Sequence, residues 1–368
     1  MTSKTDPRLA LSPIQGVCYQ PTPSDDTPVP LPKYFDSDYY NSDFSLLWGT
    51  SARGRNDLNN LSTNLGVNFV HLYNWSVPPA PGSTPGDYQR DHVPFLNACE
   101  NEGIKVFVPI SNYFLEQINQ GNTQVKSQIK SMVTEVYAAG ASTKPNGAAI
   151  WGIGNEYDLA TSFTAADVAT AISYLLDAEK GLGVPSSNLL PITSPVSFAV
   201  HSIPNAPAIS ALQTLQQAFT AAGLTSTWDD RFIASVNSFN TGSFLKNYVD
   251  TTFPQYFPDL PFFFSEMGIN LVPNGYPSTE KDQADYVADQ LKNTAPSGNF
   301  LGTCVFQFLN QSAVKTGTEA TFGAYKYSGN ISEYGAIPAG YVPGGGEQYP
   351  VDSLTAKDMV ASITQAYK

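Results

Sequence analysis

The chain has 368 residues, 42% of them hydrophobic and only 14% charged, with a net charge of −13. That length supports one large core, and an acidic chain without a basic stripe argues against a nucleic-acid partner or an anionic membrane surface. No apolar run reaches the roughly 18 residues that a membrane span needs, and Cys18, Cys99 and Cys304 are too few for a disulfide framework, so buried thiols are expected.

Residues 1–13 hold no apolar signal core and read as a flexible tail before a single domain over 14–368. A strand over 16–19 is followed by a long insertion over 20–51, rich in Pro and Tyr. The next helix, over 57–65, has Leu58, Leu61 and Leu65 on one face and stops at Gly66. A strand over 68–73 leads to a helix over 87–102 that ends at Gly103, then to a strand over 105–110. Val125, Ile129, Met132, Val133 and Val136 form a helical stripe before a strand over 148–154. Thr164 is placed to cap a helix carrying Val168, Ile172 and Leu175, and a strand over 190–194 follows. Ile209, Leu212, Leu215 and Phe219 make another stripe; a strand over 232–238 and a short helix over 243–250 come next. After a strand over 261–265, Ser278 or Thr279 caps a helix that runs to Asn293. The last strand, 302–308, opens a second long insertion over 310–351, and a helix over 353–367 closes the chain. Eight strands alternating with eight helices give the α/β count of a (β/α)8 TIM barrel, with a doubly wound open sheet as the structural rival. In the barrel, both long loops emerge at the C-terminal rim, where active sites lie.

Two apolar runs end abruptly on carboxylates, Trp151-Gly152-Ile153-Gly154-Asn155-Glu156 and Phe262-Phe263-Phe264-Ser265-Glu266. A glutamate at the end of a buried strand is costly unless it has a task. The fourth and seventh strands of a barrel face each other across its mouth, so Glu156 and Glu266 are the candidate catalytic pair. A gap of about 5–5.5 Å between such carboxyls supports retention and about 6.5–9.5 Å inversion. The structural alternative pairs each glutamate with Arg53, Arg55, Arg90 or Arg231.

The other strand ends give a rim of amides, hydroxyls and aromatic rings: Tyr19, Gln20, Tyr73, Asn74, Trp75, Asn112, Tyr113, Asn155, Asp158, Asn237, Phe239, Gln307 and Asn310. These are the candidate substrate-binding residues, because amides bond sugar hydroxyls and rings stack on apolar sugar faces. No glycine nest or basic cluster suggests phosphate, and Gly152-x-Gly154 lacks the third glycine of a dinucleotide loop. His71, His92 and His201 have no ligand spacing, so neither a metal nor a cofactor is expected. Tyr34, Tyr39, Tyr40 and Trp48 either form a sugar platform or anchor the first insertion; Asp36, Asp38 and Asp43 read as a solvated acidic surface.

Asn155-Glu156 after the fourth strand, with Glu266 at the end of the seventh, resembles the acid/base and nucleophile pattern of glycoside hydrolase clan A. Within it, the chain resembles the fungal β-1,3-glucanosyltransferases of family 72 and the β-1,3-glucanases of family 17. Gly16-Val17-Cys18-Tyr19-Gln20, the helix over 57–65 with Gly66-Val67-Asn68, Ser265-Glu266-Met267-Gly268 and Val305-Phe306-Gln307-Phe308 carry the likeness, over about 16–311. The resemblance implies that Glu266 attacks the anomeric carbon and that Glu156, its pKa raised by burial and its neighbour's charge, acts as acid and then base. It implies that Asn155 holds the sugar 2-hydroxyl and that Tyr73 orients the nucleophile or the substrate. Three departures stand out. His71, a conditional cation, replaces the family arginine. The sixth strand, with Ser235-Val236-Asn237-Ser238, lacks the usual Tyr or His. The family's disulfides and cysteine-rich extension are absent.

The expected function is therefore a retaining glycosidase or transglycosylase on β-glucan, most simply β-1,3-linked, with an oligo- or polysaccharide as partner and the protein a monomer. The alternatives are a clan A enzyme for β-1,4-mannan or β-1,4-glucan and a catalytically idle carbohydrate-binding barrel. Low lysine content and Asn, Ser and Thr richness suggest a secreted protein whose leader lies outside this sequence, with a cytoplasmic location as the alternative.

Overall fold

The computed structural model describes residues 6–24, 39–49, 51–75, 91–138, 146–199, 201–311, 315–337 and 348–368. Nine strands form one wholly parallel sheet: β1 Ile14–Cys18, β2 Phe69–His71, β3 Lys105–Ile110, β4 Ala148–Ile153, β5 Ile192–Thr193, β6 Pro195–Ser197, β7 Ala234–Ser238, β8 Phe262–Met267 and β9 Phe300–Val305. Their order is β5-β4-β3-β2-β1-β9-β8-β7-β6. β5 and β6 flank Ser194, so the two edges of the sheet belong to one kinked strand, and the sheet closes on itself. This is the (β/α)8 TIM barrel, with β7, β8 and β9 as its sixth, seventh and eighth strands.

The parallel strands are buried on both faces, as their apolar runs require. Ile14, Cys18, Phe69, Phe107, Ile150, Phe263, Leu301 and Cys304 fill the barrel interior. Val17, Val70, Val106, Val108, Phe262 and Phe264 face the surrounding helices. All three cysteines are free and buried. Of the stretch read as a flexible tail, Pro7–Leu11 is a 3-10 helix; Leu11 joins the interior cluster, and Arg8 Nη1 donates to the Phe232 carbonyl at 3.0 Å. Residues 1–5 lie outside the described residues.

The helical stripes form where the periodicity places them. Thr164 caps Ala165–Leu182 in a capping box with Asp167, and Thr279 does the same for Glu280–Asn293 with Asp282. The second helix is described over Val93–Asn101; residues 76–90 lie outside the described residues. Two helices, Asn112–Asn119 and Thr225–Arg231, carry no strong sequence signal. The second insertion is not all loop: Tyr325–Ala336 and Gln348–Ala356 pair as an antiparallel hairpin, so the last helix begins at Met359 and Ser353 stands in a strand.

The two insertions pack on each other. Tyr349 is fully buried, its ring 4.9 Å from Phe44 and its hydroxyl donating to the Asp43 carbonyl at 2.9 Å. Tyr39 packs on Phe44 at 4.2 Å, and Tyr40 and Trp48 pack on Phe95 at 5.0 and 5.3 Å; all three are buried, so they anchor the loop and offer no platform, while Tyr34, Asp36 and Asp38 lie outside the described residues. No helix among the described residues is long and apolar enough to cross a membrane.

Candidate active site

Glu156 reaches the barrel mouth through an uncommon backbone. Gly154 has φ +64 and Glu156 φ +54. A Cβ on Gly154 would lie 2.4 Å from Leu115 Cδ1, so only glycine makes this turn. A left-handed glutamate costs about 1–3 kcal/mol and persists where its surroundings hold it. Here the Glu156 amide donates to the Pro195 carbonyl at 2.9 Å. Next to it, the Asn155 amide donates to Asn112 Oδ1 at 2.7 Å, and Asn112 Nδ2 returns a bond to the Asn155 carbonyl at 3.0 Å.

Glu266 is aimed by a bulge. In β7 and β8, Val236 pairs with Phe264 but Asn237 pairs with Glu266, leaving Ser265 as an extra residue. Simple alternation from Phe262 and Phe264 would turn Glu266 outward to the helices; the extra residue turns it inward. It lies inside β8, one residue before the strand ends, and is 6% exposed.

Both carboxylates line one cleft of about 570 Å³ at the C-terminal mouth, with Gln20, Tyr73, Asn74, Asn112, Tyr113, Asn155 and Phe239. Glu266 Oε1 accepts from the Tyr73 hydroxyl at 2.9 Å and from Asn155 Nδ2 at 3.4 Å. Glu156 Oε1 accepts from Asn237 Nδ2 at 3.1 Å. Neither pairs with the arginines weighed as structural partners: Arg53 pairs with Glu333, Arg55 with Asp57 and Arg231 with Glu179, while Arg90 lies outside the described residues.

Burial raises the pKa of both glutamates. Glu266 rises to about 8, by desolvation first and the charge of Glu156 second; the Tyr73 hydroxyl, Lys315 and the Asn155 amide act in the opposite sense. Glu156 rises through desolvation, opposed by Asn237 and Lys315. Glu266, the more deeply buried of the two, is raised further.

His71 is not a cation. Burial lowers its pKa to about 4, and its Nδ1–H donates to the Ser265 carbonyl at 2.9 Å. Its ring stacks under Tyr73 at 4.7 Å, so it supports the phenol that bonds Glu266.

Six of the expected rim residues do not line the cleft. The buried Tyr19 hydroxyl donates to Asp57 at 3.0 Å. Trp75 is buried, with Nε1 donating to Glu135 at 3.0 Å and its ring 4.3 Å from His92. The Asp158 carboxylate accepts from the Ser197 amide at 3.1 Å, and burial raises its pKa to about 6. Gln307 is buried, and Asn310 Oδ1 accepts from the Gly323 amide at 2.9 Å. Asn237 sits beneath the floor and touches Asn155 and Glu156. In each case the strand end is where expected, but the side chain is committed inside the protein.

The cleft also contains Glu116, Gly154, Phe306, Lys315, Glu319 and Phe322. Phe239, Phe306 and Phe322 form one wall, with centroids 5.0–5.9 Å apart, and Lys315 Nζ lies 4.9 Å from the Phe306 ring. Glu116 could have been found from Asn112, since four residues along a helix share a face. Phe322 follows a 3-10 turn, Gly317–Thr321, that leaves no period in the sequence. No cluster of His, Cys, Asp and Glu among the described residues could hold a metal.

No family model matches the chain, and no curated protein matches it in sequence. Solved structures do. A β-galacturonidase of family 2 from Eisenbergiella tayi is similar over 97% of this chain and 50% of its own, at 16% identity and TM-score 0.53; the chain spans about half the length of that protein. A plant β-glucan endohydrolase is similar over 84% of this chain and 96% of its own, at 14% identity and TM-score 0.52. ScGas2 is similar over 96% of this chain and 63% of its own, at 14% identity and TM-score 0.52. At such identities the likeness is one of fold: the chain shares their (β/α)8 barrel.

Proposed function

We propose that this protein is a retaining glycosidase acting on β-glucan, in the first instance β-1,3-linked, through double displacement. The observation that carries the reading is the pair itself: Glu156 and Glu266, on facing strands, share one cleft and are joined through Asn155 and Asn237. Neutral amides and the wall of Phe239, Phe306 and Phe322 suit an uncharged sugar ring. The fold likeness to the plant β-glucan endohydrolase supports the class of substrate.

Glu266 attacks the anomeric carbon while Glu156 gives its proton to the leaving oxygen; Glu156 then takes a proton from the acceptor that releases the sugar. Positive charge developing on the sugar favours ionised Glu266, while burial keeps the proton on Glu156 for the leaving oxygen. Tyr73 steadies the nucleophile by its hydroxyl. Among the described residues of the first insertion, Tyr39, Tyr40 and Trp48 are buried and offer no acceptor platform, which favours water as acceptor over a second sugar.

Laminari-oligosaccharides of defined length, beside cello- and manno-oligosaccharides, test the reading. The expected result is cleavage of the β-1,3 series, shorter products, and the β-anomer formed first by proton NMR. Glu156→Gln should slow turnover by about 10²–10⁴-fold. Products longer than the substrate would identify transfer. An α-anomer formed first would overturn double displacement, and inertness toward every β-glucan would overturn the substrate class.

A further inference from the structure

The least exposed amide at the site is the most connected. Asn237 is 2% exposed and stands one residue before the end of the sixth barrel strand, opposite Glu266 in register. Its Nδ2 donates both protons, to Asn155 Oδ1 and Glu156 Oε1, each at 3.1 Å. Its Oδ1 accepts from the Ser265 hydroxyl at 2.7 Å, and Ser265 is fully buried. An amide with both protons committed has no donor left for a sugar. Among the described residues, Asn237 supplies the one side-chain hydrogen bond that the Glu156 carboxylate accepts.

We propose that Asn237 is the positioning residue of this site: tethered by the bulged Ser265, it fixes the Glu156 carboxylate relative to the strand that carries Glu266. The inference rests on the reading of Glu156 as acid and base. Ser265 is the extra residue of the bulge that turns Glu266 inward. Its hydroxyl therefore reports the position of the nucleophile strand, and Asn237 passes that position to Asn155 and Glu156 on the fourth strand. The donor also distinguishes the two oxygens of Glu156. Oε1 accepts an N–H, so the transferable proton is placed on Oε2, which accepts no hydrogen bond from a described side chain. Asn237 itself transfers no proton.

The test uses the full chain with glutamate labelled at the carboxyl carbon with ¹³C, and Glu156→Gln to assign the signal. Glu266, Asp158 and Lys315 are the charged groups coupled to Glu156, and all are kept. Asn237→Ala should move the Glu156 titration upward by about one pH unit, because a donor to the carboxylate is lost. Ser265→Ala should move it the same way by less, and Ser265→Thr, which keeps the hydroxyl, should restore it. In parallel, Asn237→Ala should slow an aryl β-glucoside with a poor leaving group by about 10²-fold, and one with a nitrophenolate leaving group far less, since only the first needs the acid. If Asn237→Ala does not fold, Ser265→Ala is read in both assays.

A folded variant with an unmoved Glu156 titration, or with equal losses on both leaving groups, overturns the proposal. A wild-type protein inert toward every β-glycoside, with the titration shifted in Asn237→Ala, would retain the tether and overturn the glycosidase reading. An active wild type with no titration shift would do the reverse.

Discussion

At the scale of single residues, the site is governed by what burial does to two carboxyls. Glu266 carries a folded-state pKa of about 8 against an ordinary 4.5, so the folded protein binds its proton more tightly than the unfolded chain does. Between those values the folded state holds more protons, and stability falls as pH rises. Glu266→Gln keeps the shape and removes the penalty of ionising there. It should raise the melting temperature at pH 8, by about 1–2 °C for each kcal/mol relieved, and leave it unchanged at pH 4, as calorimetry at the two pH values will show. A gain of equal size at pH 4 would mean that the carboxyl is not the cause. In the wild type, kcat/KM should be bell-shaped with its alkaline limb near 8, where Glu266 loses its proton.

At the scale of elements, glycines and buried ions decide how close the strands and loops approach the site. A Cβ on Gly152 would lie 1.8 Å from Phe107 Cε1 inside the barrel, two residues before the turn at Gly154. Phe107 is fully packed and cannot withdraw, so Gly152→Ala should destabilise by about 1–3 kcal/mol and reduce activity through Glu156, seen as a lower denaturant midpoint with an unchanged slope. The first insertion depends on the buried pair of Arg55 and Asp57 at 2.7 Å, where Arg55 also donates to the Thr22 carbonyl and Asp57 accepts from Tyr19. Arg55→Leu leaves Asp57 buried without its cation and should cost about 3–5 kcal/mol by the same measurement. The element pattern was largely legible, because leucine stripes at Leu58, Leu61 and Leu65 or caps at Thr164 and Thr279 act locally. The hairpin of Tyr325–Ala336 and Gln348–Ala356 was not, since its residues alternate weakly and its stability comes from packing on the first insertion.

At the scale of the whole molecule, charge should govern which polymers reach the cleft. The chain carries −13, and Glu116, Glu156, Glu266 and Glu319 face a single lysine, Lys315, among the cleft-lining residues. A neutral glucan should bind with a KM that changes less than about twofold from low salt to about 0.5 M, because no charge is exchanged. A carboxymethylated glucan should bind poorly at low salt and improve as salt screens the repulsion. A strongly salt-weakened KM for the neutral polymer would contradict this.

The sequence by itself determined the barrel and the two glutamates. Apolar runs between glycines specify buried parallel strands, and a carboxylate ending such a run is conspicuous because burial makes it costly. It also showed the amides and aromatic rings of the rim, though not Glu116, Lys315 and Glu319, which line the cleft as well. Only the tertiary structure decided which rim residues face the cleft. The bulge at Ser265 turns Glu266 inward, against the alternation set by Phe262 and Phe264, and Tyr19, Trp75, Asp158 and Asn237 are committed to partners distant in the chain. Those outcomes depend on strand register and on contacts between segments far apart in sequence, which no local pattern encodes.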